Sequence, residues 1–396
     1  MNEPVTGKTV HDGGPADVAP APDPGARVSP SRRLTLVAGS PFSGSGVGTL
    51  AGRYADLLER RGWSTRVFVP EGPTHQEGSR TPSALPYERL FAAGRRAVEQ
   101  GDYVVVLGLP DDRAHAQRAV DTLTGLPRCA LLWERPARPN AEVAADLSGV
   151  AGLRRVWTLN EVHARSLRGM LPRTTTVSVA PFCLPAAFLS EPSAPPDPTT
   201  PPYAVYLGRF DEWKGACLLA EVWAHRVHPA TGTALVMIGL GMAPGSAGEN
   251  LVLATARDHP DRVRPVRTTR IDDRVRLLRH AVVAVFPGRH EHLPQSLIEA
   301  MAVGTPTICT AIDGYAPVAR DQVTSLLVDT GLRGLETAVL RLRDGPELRE
   351  SISRQARDEV RRRFHPDAAA VWLEGLITAL GESGAPERPD AGTADQ

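Results

Sequence analysis

The stretch Phe286–Pro306, FPGRHEHLPQSLIEAMAVGTP, decides how the chain is read. The apolar run AVVAVF at 281–286 predicts a buried strand, followed by a loop ending at Pro294. A helix is expected over Gln295–Val303, with Gly304 where a C-cap belongs. Pro294 at the first helical position leaves the amides of Gln295, Ser296 and Leu297 without helical acceptors, and their partial positive charge suits a phosphate. Glu291 lies in the loop and Glu299 in the second turn, with seven residues between them. A carboxylate one turn beyond such a helix end is placed to accept two hydrogen bonds from a sugar diol. The combination implies a nucleotide site.

Around this stretch the totals narrow the possibilities. A chain of 396 residues holds two domains of ordinary size. With 42% hydrophobic and 23% charged residues it has the composition of a globular protein in water. Basic and acidic residues balance at 45 each, so no global field favours nucleic acid or an anionic membrane. Apolar runs stay short of a membrane span, and a signal peptide's basic and apolar regions are missing from the N-terminal stretch. Cys129, Cys183, Cys217 and Cys309 are widely spaced, fitting neither a disulfide framework nor a zinc site, so a reducing cytoplasm is expected. Lysine occurs only at Lys8 and Lys214. In a chain whose cations are otherwise arginine, a compact ammonium at 214 marks a position where the two are not interchangeable.

Residues 1–31 carry no periodicity and are expected to be a disordered tail. A first α/β domain is expected over 32–189, beginning with the strand LTLVA and the Gly-rich loop SPFSGSGVGT at 40–49, with a helix from Leu50. An exposed loop is expected over 71–84, and strands alternating with helices continue to TTVSV at 175–179. The Pro-rich run at 190–202 predicts a linker. Alternation resumes over 203–363, including a helix over Lys214–Val227; a closing helix over 364–380 is expected to pack back on the first domain, ahead of a disordered tail at 381–396. This pattern predicts an α/β fold of two Rossmann-like, doubly wound parallel-sheet domains facing a cleft.

Two further stretches carry chemistry. Gly44-Ser45-Gly46-Val47-Gly48 after the first strand allows backbone amides to approach an anion; Gly46 and Gly48 are the candidate contacts. A dinucleotide fingerprint with Glu71 as the ribose acid is the rival, but its third glycine falls at Thr49; a plain structural turn is the other. In the second domain a strand runs into Gly208-Arg209-Phe210-Asp211-Glu212-Trp213-Lys214-Gly215, where Arg209 and Lys214 are spaced to clamp a diphosphate. The alternative is a solvated loop with ion pairs to Asp211 and Glu212. Asp-x-Asp does not occur, so no metal cofactor is expected, and leaving-group charge falls to Arg209, Lys214 and helix N-termini.

In order, the Gly-rich loop, GRFDEWKG, the turn Gly239-Leu240-Gly241 and EHLPQSLIEAMAVGTP resemble family-4 glycosyltransferases of the GT-B fold. The resemblance implies a retaining, metal-independent transfer of a sugar from a nucleoside-diphosphate sugar. It gives Arg209 and Lys214 the donor diphosphate, Glu299 the ribose and Glu291 a place beside the transferred sugar. His292, Leu293, Pro294, Gln295, Ser296 and Leu297 line the donor, with Gly241 at the second-domain turn and Gly46 approaching from the opposite domain. The chain departs from the family pattern at three places. Where members carry a histidine after the strand CALLW, Trp133-Glu134-Arg135-Pro136 offers Glu134 or Arg135. Pro181-Phe182-Cys183 replaces an Asn-Gly, and the Gly239–Gly241 turn lacks an acidic residue. A small-molecule or natural-product acceptor is expected, since no basic amphipathic helix suits a lipid surface. A GT-B epimerase or phosphorylase, or a silent sugar-nucleotide-binding protein, are the alternatives.

Overall fold

The computed structural model describes residues 32–39, 46–71, 82–109, 113–133, 152–191, 201–239, 245–268, 270–291 and 293–381. The expected tails at 1–31 and 382–396, and linker residues 192–200, lie outside the described residues.

The first half alternates as expected: β1 (Arg33–Ala38), α1 (Gly46–Glu59), β2 (Ser64–Pro70), β3 (Ser83–Leu85), α2 (Tyr87–Glu99) and β4 (Tyr103–Leu107). It continues with α3 (Arg113–Leu123), β5 (Cys129–Leu132), β6 (Arg155–Thr158), α4 (Glu161–Met170), β7 (Thr176–Val179) and the single turn α5 (Ala186–Leu189). Its strands form a seven-stranded sheet in the order β3-β2-β1-β4-β5-β6-β7. Two expectations shift. Helix α1 begins at Gly46 rather than Leu50, because glycine does not break a helix at its first turn, where amides have no intrahelical acceptor anyway. Ser83–Leu85, expected in a loop, pairs in parallel with Phe68–Pro70 as an edge strand too short to announce itself by alternation.

The second half holds β8 (Tyr203–Gly208), α6 (Ala216–Val222), α7 (His228–Thr231), β9 (Ala234–Gly239), α8 (Ala247–Asp258), β10 (Val263–Arg267) and α9 (Ile271–Arg279). After these come β11 (Val283–Phe286), α10 (Gln295–Ala302), β12 (Thr307–Thr310), β13 (Leu326–Val328), α11 (Leu335–Asp344), α12 (Pro346–Arg363) and α13 (Pro366–Thr378). Its six-stranded sheet has the order β10-β9-β8-β11-β12-β13. Every named pairing in both sheets is parallel. The helix expected over Lys214–Val227 starts two residues later and widens into a π turn at Trp223–Val227. That turn lies just ahead of Pro229, whose ring carries no amide and crowds the carbonyl one turn back.

These topologies place the functional loops. Strand β1 pairs with β2 on one side and β4 on the other, and β8 likewise lies between β9 and β11. The chain reverses its direction of travel across each sheet at those points, which leaves a crevice at the strands' carboxyl ends. Both GRFDEWKG and EHLPQSLIEAM follow strands flanking the second crevice. The halves share one continuous core: Tyr54, Leu58, Phe182 and Phe188 belong to the same buried cluster as Leu297, Ile298, Met301, Leu373 and Ile377. Helix α13 reaches back to α1, where Glu374 accepts from Arg61 Nε at 2.7 Å and Trp63 Nε1 at 3.0 Å. Among the described residues no helix is long and apolar enough to cross a membrane.

Candidate active site

The loop after β8 is folded by its own acid. Asp211 accepts the Lys214 amide through Oδ1 at 2.7 Å and pairs through Oδ2 with Arg209 Nε at 2.9 Å. The Ala216 amide donates to the Asp211 carbonyl, and the buried Tyr206 hydroxyl donates to the Arg209 carbonyl at 2.6 Å. Gly215 closes the turn with φ +68°, and a Cβ there would sit 2.2 Å from the Pro287 carbonyl oxygen. Only glycine fits a backbone position that is both left-handed and in contact with the neighbouring loop. The Arg289 amide then donates to the Trp213 carbonyl at 2.9 Å, joining the β8 and β11 loops.

This junction brings Lys214 Nζ into an ion pair with Glu291 Oε2, 77 positions away in the chain. The pair is largely enclosed, with side-chain exposures of 28% and 12%. It stands at a small cavity of about 30 Å³ lined by Tyr206, Gly208, Lys214, Glu291, Ser296 and Tyr315 among others. Burial pushes the Tyr206 and Tyr315 phenols well above their usual range, with the Asp211 carboxylate adding to the shift at Tyr206 and Glu291 at Tyr315, so both are neutral hydroxyl groups near neutral pH. Gly314 lies against the backbone of the Glu291 loop: a Cβ there would approach the Glu291 carbonyl oxygen to 2.1 Å. Arg209 stands nearer solvent, its side chain 47% exposed.

The helix end differs in detail from the expectation. Pro294 is the N-cap of α10 rather than its first residue. The Gln295 amide is taken by the Leu293 carbonyl at 2.8 Å, because the chain makes a tight turn at Pro294 before the helix begins. The first intrahelical bond runs from the Ile298 amide to the Pro294 carbonyl at 2.9 Å. Ser296 and Leu297 therefore carry the amides preceding the helical ladder, and both residues line the cavity.

Glu299 is placed differently from Glu291. It is 2% exposed, and its two oxygens meet guanidinium groups from different halves: Arg53 Nη2 at 3.2 Å and Arg274 Nη1 at 3.5 Å. Arg53 comes from α1, lies 5.4 Å from the Phe182 ring centre and donates to the Cys183 carbonyl at 3.4 Å. The Pro181-Phe182-Cys183 departure noted in the sequence is thus the wall against which Arg53 packs. Behind the turn after β9, Ser246 caps α8: its Oγ accepts the Glu249 amide at 3.4 Å, and Glu249 reaches back to accept the Gly245 amide at 2.8 Å. The Glu249 carboxylate also pairs with Arg267.

Gly46 and Gly48 fall in the first turn of α1. Glu134, Gly241 and His292 lie outside the described residues. Sequence reading missed Tyr206, Tyr315, Arg53 and Arg274. Tyr206 and Tyr315 sit in apolar or turn surroundings without motif spacing, and Arg53 is one of many helical arginines; nothing local sets them apart.

Residues 190–359 match the family model described as glycosyl transferases group 1. A D-inositol 3-phosphate glycosyltransferase of Salinispora tropica is 30% identical over 130 residues, covering 31% of this chain and 27% of the relative. An alpha-D-kanosaminyltransferase of Streptomyces kanamyceticus is 25% identical over 181 residues, 46% of each chain. The matched region spans less than half the length of these curated relatives. Among solved structures, a sucrose-phosphate synthase from Thermosynechococcus elongatus superposes with a TM-score of 0.68 at 18% identity, covering 88% of this chain and 98% of that one. Anabaena HepE in complex with UDP-glucose gives 0.68 at 12% identity, covering 88% and 99%. These two likenesses carry the fold alone. The chain has the two-domain GT-B fold, and its residues 190–359 match the glycosyl transferases group 1 family.

Proposed function

We propose that the protein is a retaining, metal-independent glycosyltransferase of family 4 that moves a sugar from a nucleoside-diphosphate sugar to a small-molecule or natural-product acceptor. One observation carries this reading: Lys214, Glu291 and the Ser296–Leu297 helix end converge on one cavity at the carboxyl ends of β8 and β11. A lysine and a helix N-terminus facing each other provide two of the elements a diphosphate needs, and Arg209 on the outer side of the same loop provides a third.

In this reading Arg209 and Lys214 hold the diphosphate, Ser296 and Leu297 direct amides at it, and Glu299 binds the ribose hydroxyl groups. Gly46 and Gly241 allow close approach from either side. His292, Leu293, Pro294 and Gln295 shape the rim, while Glu134 is proposed beside the donor sugar. As the bond from the anomeric carbon to the phosphate oxygen breaks, the developing negative charge falls on oxygens that Lys214 and Arg209 face. The acceptor oxygen bonds to the same face of the sugar, and its proton passes to the departing phosphate oxygen. Glu291, paired with Lys214, is freed toward the sugar once the diphosphate takes the lysine. The absence of Asp-x-Asp from the whole sequence supports the metal-free assignment.

A thermal-shift screen of uridine, guanosine and adenosine diphosphates and their sugars tests the proposal. One diphosphate should raise the melting temperature in wild type and fail to do so in Lys214→Ala. Equal stabilisation of the two proteins would overturn the assignment.

A further inference from the structure

Glu299 joins the two halves through buried charge. Its Oε1 faces Arg53 of α1 and its Oε2 faces Arg274 of α9, and the three side chains are 10%, 5% and 3% exposed for Arg53, Arg274 and Glu299. Each guanidinium also lies near an aromatic ring of the segment joining the halves: Phe182 for Arg53 at 5.4 Å and Phe188 for Arg274 at 5.7 Å. Two guanidinium groups share one carboxylate.

The two arginines are not equivalent. Arg274 belongs to the same half as Glu299, one helix away, and moves with it. Arg53 belongs to the opposite half and reaches Glu299 across the junction of the two halves. If Glu299 receives a ribose diol, the diol needs the oxygen that Arg53 now occupies.

We infer that Arg53 and the ribose diol compete for Glu299 Oε1, making Arg53 a residue that sets how strongly the site discriminates a ribonucleotide from one without the diol. This rests on the assignment of Glu299 to the ribose. Arg53 bridges the two halves at the ribose position, and an entering nucleotide displaces it. Arg274 stays in place, keeping the carboxylate charged and oriented. Removing Arg53 leaves the Glu299–Arg274 pair in place, whereas removing Arg274 takes away the support that aims the carboxylate.

The experiment is a calorimetric titration of the full chain with whichever of uridine, guanosine or adenosine diphosphate binds most tightly, and with its 2′,3′-dideoxy counterpart. In Arg53→Gln the ribonucleotide should bind about tenfold more tightly, the size of one charge-assisted contact, with dideoxy binding unchanged. Arg274→Gln should weaken the ribonucleotide and spare the dideoxy compound. Arg53→Lys, which keeps the charge without the planar fork, should fall between wild type and Arg53→Gln and stands in should the glutamine variant not fold. An unchanged ratio of the two affinities in the Arg53 variants, or equal tightening of both ligands, overturns the competition while leaving the nucleotide assignment intact. A wild-type protein that binds no nucleoside diphosphate overturns both.

Discussion

Lys214 and Glu291 allow structure and chemistry to be separated by one double-mutant cycle. Replacing Lys214 with Met takes the ion-pair partner from a Glu291 carboxylate that is 12% exposed and lines the same cavity as Tyr315. Breaking a fully buried pair costs about 3–5 kcal/mol and an exposed one about 0–1 kcal/mol. With the lysine 28% exposed, the pair lies between these limits, and a loss of about 2 kcal/mol is expected. Glu291→Gln in the Lys214→Met background removes the carboxylate that lost its ion pair and should return most of that stability. Activity should not return. Loss of one charge-assisted contact to the leaving diphosphate, about 1.5–3 kcal/mol, slows turnover roughly 10- to 100-fold. The assay pairs urea denaturation of the four proteins with diphosphate release from the sugar nucleotide found by the thermal-shift screen. Undiminished stability in Lys214→Met, or a double variant as active as wild type, would refute the reasoning.

Further outcomes follow from single contacts. Arg209→Ala should lower turnover at least about tenfold with little change in stability, since its side chain is 47% exposed, and EDTA should have little effect; strict dependence on added magnesium or manganese would sink the metal-free mechanism. Gly215→Ala forces a Cβ to within 2.2 Å of the Pro287 carbonyl at φ +68°, so a drop of about 2–4 kcal/mol in unfolding free energy is expected; a drop under about 1 kcal/mol would show that the turn adapts. Burial lowers the His163 pKa from 6.5 to about 4, with Thr158 Oγ1 2.9 Å from its Nδ1. A histidine kept neutral in the fold takes up its proton first in the unfolded chain. Stability should therefore fall as pH drops from 6.5 toward 4 and level off below, by up to about 3 kcal/mol. His163→Gln should flatten that part of the profile, and an unchanged slope would assign the acid sensitivity elsewhere.

Much of the architecture was legible because its signals are local. Continuous apolar runs such as YVVVL and VAVF read as strands buried on both faces, and helices between them require parallel crossovers. Asn160 caps α4 through its side chain, and Gly304, with φ +84°, follows α10, each at the position its chemistry predicts. Where tertiary context outweighs local preference, expectation and structure part. The edge strand β3 exists only through its pairing with β2, and the turn at Pro294 removes one of the three amides assigned to phosphate.

By itself, the sequence determined the two alternating α/β halves and the residues Arg209, Lys214, Glu291 and Glu299 as candidates, because backbone punctuation and motif spacing are properties of contiguous segments. Which of these meet was decided by the tertiary structure. Lys214 and Glu291 become partners only when β8 and β11 lie side by side, and Arg53 reaches Glu299 across 246 positions only when the two sheets share a core. The buried Tyr206 and Tyr315 hydroxyl groups likewise join the site through packing alone. Charge pairing depends on distance in space and on the exclusion of water, and neither is written in the order of residues.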